Sequence, residues 1–479
     1  MHSSPSPQPH RRRSTSLLGL SLLVLLCGCE GQRDPALPNV VIAIADDWGW
    51  PHAGAYGDPA VETPIFDRLA REGALFDHAF ASAPSCSPSR AALLTGQHFF
   101  RLGEAANLSS RWPSGLAEYP ELLRESGYFV GSVRKGWGPG RHEGRENPAG
   151  RRYTTLRRFF AKRPSDRPFA LWFGSTEPHR PFETGSGRAS GVDPQEVHLF
   201  GHLPDTAVVR EDVADYYAGV SRFDREVGEL LDELEALGEL ERTIVVVTSD
   251  HGMPFPRAKA NLYDAGTRVP LVVRWPKRIA PGVLRSELVS LVDLAPTFLE
   301  AAGLEPPAEM TGRSLLPLAE GLPTGHRSEI VLGRERHLPA QAAPDVGGFP
   351  MRALRTRDFL LVHNLRPDRW PAGTPDRKQS LLDDAWLADV DDGPTKRFLW
   401  EQRGELPRPY ELSFGRRPRF ELYELAEDPD QLVNLAEDPA YLEVQARLAS
   451  RLQLRLQELG DPRAGDPSTA LDEAEYLTP

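Results

Sequence analysis

Cysteine is scarce in this chain of 479 residues, which holds only Cys27, Cys29 and Cys86. Two of these lie in the first thirty residues, so the remaining chain has no second cysteine with which to build a disulfide framework. Long apolar runs are also missing. Leu17 to Leu26 is about ten residues, half of what a bilayer-spanning helix needs. Positive charge is in deficit: the formal net charge is −12, which disfavours a nucleic-acid partner. Internal repeats are absent. What remains is ordinary for a soluble globular protein, with 40% hydrophobic and 26% charged residues. The length exceeds what one hydrophobic core usually serves and predicts two domains. The 45 prolines and 41 glycines predict many loops, which suits a site assembled from loop residues.

The N-terminus reads as an export signal. His10-Arg11-Arg12-Arg13 is basic, the apolar run follows, and the segment ends Leu26-Cys27-Gly28-Cys29-Glu30. That ending resembles a bacterial lipoprotein cleavage box with Cys29 as the lipidated residue; simple signal-peptide cleavage is the alternative. No hydrophobic residue closely follows the arginines, which weakens a twin-arginine reading. Residues 1–29 are thus expected to direct export to the periplasm or cell envelope of a bacterium, with any membrane contact made through a lipid anchor at Cys29. Cys86 is then left over, which suggests a reactive role over an inert buried thiol.

Strand and helix signals alternate. Val40 to Ala45 is a continuous apolar run ending in Asp46-Asp47, and reads as a buried strand. Thr63-Pro64 opens a helix that runs to about Gly73. Cys86 lies just before a helix expected over Pro88 to Thr95. Tyr128 to Val133, Phe169 to Ser175 and Thr243 to Thr248 read as strands. From Arg210 to Leu237, Val213, Tyr217, Val220, Phe223, Val227, Leu230, Leu231 and Leu234 recur at helical spacing. This alternation predicts an α/β fold built on a mainly parallel sheet. Ligands sit beyond the carboxyl ends of strands in such sheets. Asp46-Asp47, Glu177-Pro178-His179 and Asp250-His251 each closely follow a strand and are expected to share one site. After about Gly348 the pattern changes to strands over Met351 to Asn364 and Phe420 to Leu425, then a helix over Tyr441 to Leu459. The boundaries drawn from this are 38–343 for a catalytic domain, 344–462 for a smaller α+β subdomain and 463–479 for a loose acidic tail.

Asp46, Asp47 and Asp250 place three carboxylates at the ends of two strands. Unpaired they would repel one another, so a shared divalent cation is the economical reading. The most informative stretch is Cys86-Ser87-Pro88-Ser89-Arg90-Ala91-Ala92-Leu93-Leu94-Thr95-Gly96. It resembles the signature of the formylglycine-dependent sulfatases, and the likeness extends over roughly Pro38 to Pro462. The resemblance implies an alkaline-phosphatase-like large mixed sheet flanked by helices. It implies that a formylglycine-generating enzyme oxidises Cys86 to formylglycine (3-oxoalanine). The hydrated aldehyde then attacks sulfur with one hydroxyl and expels sulfate through the other. Arg90 would hold this group and balance forming charge. One calcium ion would be bound by Asp46, Asp47, Cys86 as modified, Asp250 and His251, although imidazole is a softer ligand than calcium prefers. Lys135, His179 and Lys259 match the family's catalytic cations, with His179 near the leaving-group atom and Lys259 binding sulfate.

Within the sulfatases, Met253 to Tyr263, Gly333-Arg334-Glu335-Arg336-His337, Gly174 to Pro181 and His363-Asn364-Leu365 look most like the N-sulphoglucosamine sulphohydrolase (heparan N-sulfatase) group. This implies a sulfated carbohydrate substrate, with sulfamate and sulfate ester both open. There is one departure: the family's histidine two residues after the lysine falls on Trp137, and His142 in the same loop is a candidate to replace it. Two other readings stand beside this one. The first is a phosphomonoester or phosphonate hydrolase on the same fold, and the second is an inactive glycan-binding lipoprotein.

Overall fold

Asn39–Ala45 is apolar along its whole length because neither of its faces meets water, and in the computed structural model it is the central strand, β1, of a nine-stranded sheet. The structure describes residues 37–322, 325–382, 385–465 and 471–477. The export and lipidation expectations at Leu17–Leu26, Cys27 and Cys29 lie outside the described residues. The other large-sheet strands are β2 (Ala74–Phe80), β3 (Phe129–Arg134), β4 (Arg152–Tyr153), β5 (Phe169–Gly174), β6 (Thr243–Ser249), β7 (Arg268–Arg274), β8 (Val283–Arg285) and β9 (Val289–Ser290). Their order is β8-β2-β7-β6-β1-β5-β3-β4, with β9 also on β2. The five strands from β6 to β4 are parallel, while β7 runs antiparallel to β6 and to β2, so the sheet is mixed.

Val40, Ile42 and Ile44 face one hydrophobic layer and Val41, Ala43 and Ala45 the other. Helices α1 (Pro64–Glu72), α2 (Cys86–Thr95) and α3 (Ala207–Ala236) flank the sheet. All eight apolar positions expected to bury one face of α3 are buried. Helix α2 begins at Cys86 itself, earlier than its Pro88 suggested. A proline within the first turn lacks an N–H that would have had no intrahelical partner anyway, so the helix starts upstream of it.

Beyond the large sheet lies a four-stranded antiparallel one: β10 (Glu329–Arg334), β11 (Met351–Thr356), β12 (Phe359–Asn364) and β13 (Phe420–Glu424), in that order. It begins at Glu329, inside the stretch assigned to the larger domain, so the boundary at 343/344 is displaced. The Pro- and Gly-rich stretch it was drawn from is a loop joining two paired strands. The tail is also corrected, because its described residues are docked. Arg463 pairs with the buried Glu335 at 2.6 Å, Leu471 and Leu477 are buried, and the Leu477 N–H donates to the Ser109 carbonyl at 2.8 Å.

Candidate active site

The parallel register brings distant residues to one edge. Ala45 pairs with Ser249, Ile44 with Gly174, and Arg134 with Gly174. Asp46, Asp250, Ser175 and Lys135, each the next residue after its strand, therefore emerge side by side. Cys86 reaches the same place from the first turn of α2, where unpaired backbone N–H groups and the helix dipole favour negative charge.

Arg90, one turn into α2, is fully buried. Its Nε donates to Asp250 Oδ2 at 2.8 Å and its Nη2 to Asp46 Oδ1 at 3.3 Å. Its Nη1 donates to the carbonyls of Lys135 and Gly136. One guanidinium thus ties the helix to three strand ends. Trp137, standing where the departure was noted, is buried; its indole N–H donates to the Ser87 carbonyl at 3.0 Å and its ring meets Trp112 edge-on. It braces the turn that carries Cys86.

Asp47 sits in the left-handed region, with φ 77°, a conformation few non-glycine residues adopt. In a straight strand successive side chains point to opposite faces; this turn lets Asp46 and Asp47 both reach Cys86. Ligand atoms of Asp47, Cys86 and His251 lie within 4.8 Å of one another, as do those of Asp46, Cys86 and Asp250. Oxygens about 2.4 Å from a shared calcium ion have that separation when they sit opposite each other. Two further features fit a cation. Asp47 Oδ1 is buried without a hydrogen bond, though His251 Nε2 is 3.1 Å away. The Nδ1 of that imidazole lies 3.1 Å from the Gly252 carbonyl, an acceptor, so Nδ1 carries a proton and Nε2 of the neutral ring offers a lone pair. Two acceptors facing each other in a buried site fit a cation between them.

Burial works against the charge of Asp46, but Lys135, whose Nζ bonds both its oxygens at 2.8 and 2.6 Å, and then Arg90 hold its pKa well below the usual range. The Cys86 thiol, 3.4 Å from His251 Nε2, is pushed far up by burial and is no nucleophile as it stands. Burial likewise disfavours charge on Lys259, yet Asp391 and Asp47 raise its pKa well above normal. Its Nζ lies 2.8 Å from Asp47 Oδ2, 2.9 Å from Asp391 Oδ2 and 3.2 Å from His179 Nε2. Since His179 Nδ1 lies 2.6 Å from the Arg180 carbonyl and donates to it, Nε2 is the end of that ring turned to Lys259. Four carboxylates here face three cations. A divalent ion turns this negative excess into a positive one, as an anionic substrate requires in so acidic a protein.

All nine residues expected at the site are brought together: Asp46, Asp47, Cys86, Arg90, Lys135, His179, Asp250, His251 and Lys259. His142 is placed on the rim of a neighbouring cleft of about 1120 Å³ lined also by Lys135, Trp137 and Thr176. Its Nδ1 is 2.8 Å from the Arg145 carbonyl, and no other site side chain, among the described residues, hydrogen bonds to it. Two residues went unnoticed in the sequence. Asp391 sits in the acidic run Asp389-Val390-Asp391-Asp392, where nothing distinguishes it. His337 lay in a segment noted only for resemblance; its Nδ1 is 2.8 Å from Oγ of Ser85, the residue capping α2, and burial, then Lys259, keep it neutral.

The family model described as sulfatase matches residues 38–140 and 150–304, and one described as N-sulphoglucosamine sulphohydrolase, C-terminal, matches residues 254–364. The chain is 32% identical to N-sulphoglucosamine sulphohydrolase of Homo sapiens, over 95% of this chain and 96% of that protein. It is 26% identical to an ulvan-active sulfatase of Formosa agariphila, over 89% of this chain and 76% of that one. Among solved structures it resembles a protein in complex with its substrate D-glucosamine-2-N,6-O-disulfate, with a TM-score of 0.62 and 22% identity, covering 92% of this chain and 100% of that one. It also resembles the phosphonate monoester hydrolase of Agrobacterium radiobacter, with a TM-score of 0.63 and 18% identity, covering 88% and 95%. At such identities the two structures speak for the fold alone.

Proposed function

This chain belongs to the sulfatase family, and from that premise we propose that it hydrolyses sulfate ester or sulfamate groups on a carbohydrate, using calcium and a formylglycine made from Cys86. The observation that carries the reading is the gathering of Cys86, at the N-terminus of α2, with Asp46, Asp47 and Asp250, and of Lys135, Lys259 and His179 around those carboxylates. Asp46, Asp47, Asp250, His251 and residue 86 would hold the calcium, which supplies positive charge for the sulfate oxygens and the nucleophile. Formylglycine supplies the oxygen that attacks sulfur, which the buried, protonated thiol does not.

The chain's own residues do the rest. Arg90 fixes the first turn of α2 against Asp250. Lys135 and Lys259 exchange part of their carboxylate contacts for sulfate oxygens. His179, with Nδ1 anchored and Nε2 3.2 Å from the Lys259 ammonium, is placed to relay that ammonium's proton to the departing oxygen or nitrogen. The reading extends to the chain's surroundings: a formylglycine-generating enzyme as maturation partner, export to a bacterial cell envelope and an anchor at Cys29.

The test is mass spectrometry of the peptide containing residue 86, with sulfate release from N- and O-sulfated glucosamine, galactose and fucose derivatives. The modified peptide should be lighter than the thiol form, and Cys86→Ser should fold and lose turnover. Full activity with residue 86 still a thiol would sink the mechanism. Faster turnover of phosphate monoesters or phosphonates than of any sulfate would favour the rival hydrolase.

A further inference from the structure

Asp391 is out of place in a site meant for an anion. It brings a carboxylate to the buried Lys259 at 2.9 Å. Its oxygen lies within 4.8 Å of both His179 nitrogen and Asp47 oxygen. Asp47, at 2.8 Å, is already a counter-ion for Lys259, so a second carboxylate lowers the net positive charge that this lysine offers to sulfate. Unlike Asp47, whose side chain is fully buried, the Asp391 side chain keeps about a fifth of its surface exposed. It faces the space beside His179 Nε2, where the leaving atom must sit if that ring protonates it.

The two candidate leaving groups differ there in one respect. The nitrogen of a sulfamate carries a hydrogen and can donate, whereas the bridging oxygen of a sulfate ester carries only lone pairs. We infer that Asp391 is a specificity-determining residue, whose carboxylate accepts a hydrogen bond from the sulfamate N–H and repels an ester oxygen at the same position. The inference rests on the sulfatase reading above. In the step itself the S–N bond breaks with its electron pair going to nitrogen. That nitrogen gains a proton from the His179–Lys259 pair while sulfur bonds to the nucleophilic oxygen at position 86. The amine formed becomes a cation after a further proton, and Asp391 stands beside it as a counter-charge. A site that hydrogen-bonds a substrate N–H discriminates strongly against an analogue lacking it. Here the carboxylate is partly solvated and shared with Lys259, so the discrimination from one charged hydrogen bond is about 10- to 100-fold.

The experiment compares kcat/KM of the mature wild type, Asp391→Asn and Asp391→Ala on N-sulfoglucosamine and on 4-nitrophenyl sulfate. Thermal unfolding and bound calcium are measured for each variant. The sulfamate-to-ester ratio should fall about 10- to 100-fold in Asp391→Ala and less in Asp391→Asn, which keeps an acceptor oxygen. Equal losses on both compounds, or an unchanged ratio, would reduce Asp391 to a positioning residue for Lys259 and overturn the inference. A wild type that cleaves the ester and leaves the sulfamate untouched would also overturn it, with the sulfatase reading intact. A wild type that cleaves no sulfate compound while hydrolysing phosphonates would instead strike at the proposed function.

Discussion

Arg90 Nε lies 2.8 Å from Asp250 Oδ2, and neither side chain reaches solvent. A buried pair of this kind says little about net stability, but removing one partner leaves an uncompensated buried charge. Arg90→Ala should therefore cost about 3–5 kcal/mol in urea unfolding and abolish turnover. The loss should be greater after chelation, when Asp250 lacks both of its counter-charges. A cost under about 1 kcal/mol would mean that the site relaxes around the missing guanidinium.

Bound metal should be calcium, one ion per chain. Asp47→Ala removes the unpartnered Oδ1 and Asp250→Ala a charge facing it; either should lower activity by orders of magnitude. Elemental analysis should find the ion in the wild type and little in the variants, and chelation should lower the Tm reversibly. Two zinc ions per chain would favour the phosphatase-type reading.

Trp137 stands where the family pattern has a histidine, and it braces the Cys86 turn through the Ser87 carbonyl while His142 bonds only the Arg145 carbonyl. Trp137→Phe keeps the packing on Trp112 and deletes the bond to the Ser87 carbonyl, for a cost of about 1–3 kcal/mol. His142→Ala should leave steady-state turnover within a few-fold, since that ring has no hydrogen-bond contact with the site. A burst of leaving group followed by slow turnover in His142→Ala would identify it as the base of the second half-reaction.

Acid should unfold this protein through its buried histidines. Burial lowers the pKa of His98 and of His202 from 6.5 to about 3. In that window the unfolded chain binds protons that the folded one refuses. The stabilisation is complete above pH 6.5 and is lost as pH falls toward 3, by about 1.4 kcal/mol per pH unit for each ring. Urea unfolding at pH 7, 6, 5 and 4 measures that slope. His202→Gln, which keeps a donor for the Pro256 carbonyl at 3.0 Å, should flatten it; an unchanged slope would place the acid sensitivity elsewhere.

Much of this site was legible before any fold was known. An apolar strand that stops at a pair of aspartates, or at Asp250-His251, announces a sheet edge, because periodicity and composition are local properties of a few residues. The spacing within Cys86 to Gly96 is likewise local, since one helical turn separates Cys86 from Arg90. The antiparallel β7, the start of the second sheet at Glu329, the docking of the tail through Leu471 and Leu477, and the arrival of Asp391 at Lys259 were decided only by tertiary structure. Each depends on a contact between segments far apart in the chain, and Asp391 is 132 residues from the lysine it touches. A lone carboxylate in an acidic loop has no periodicity to mark it. It acquires meaning only when the fold sets a buried cation at its side.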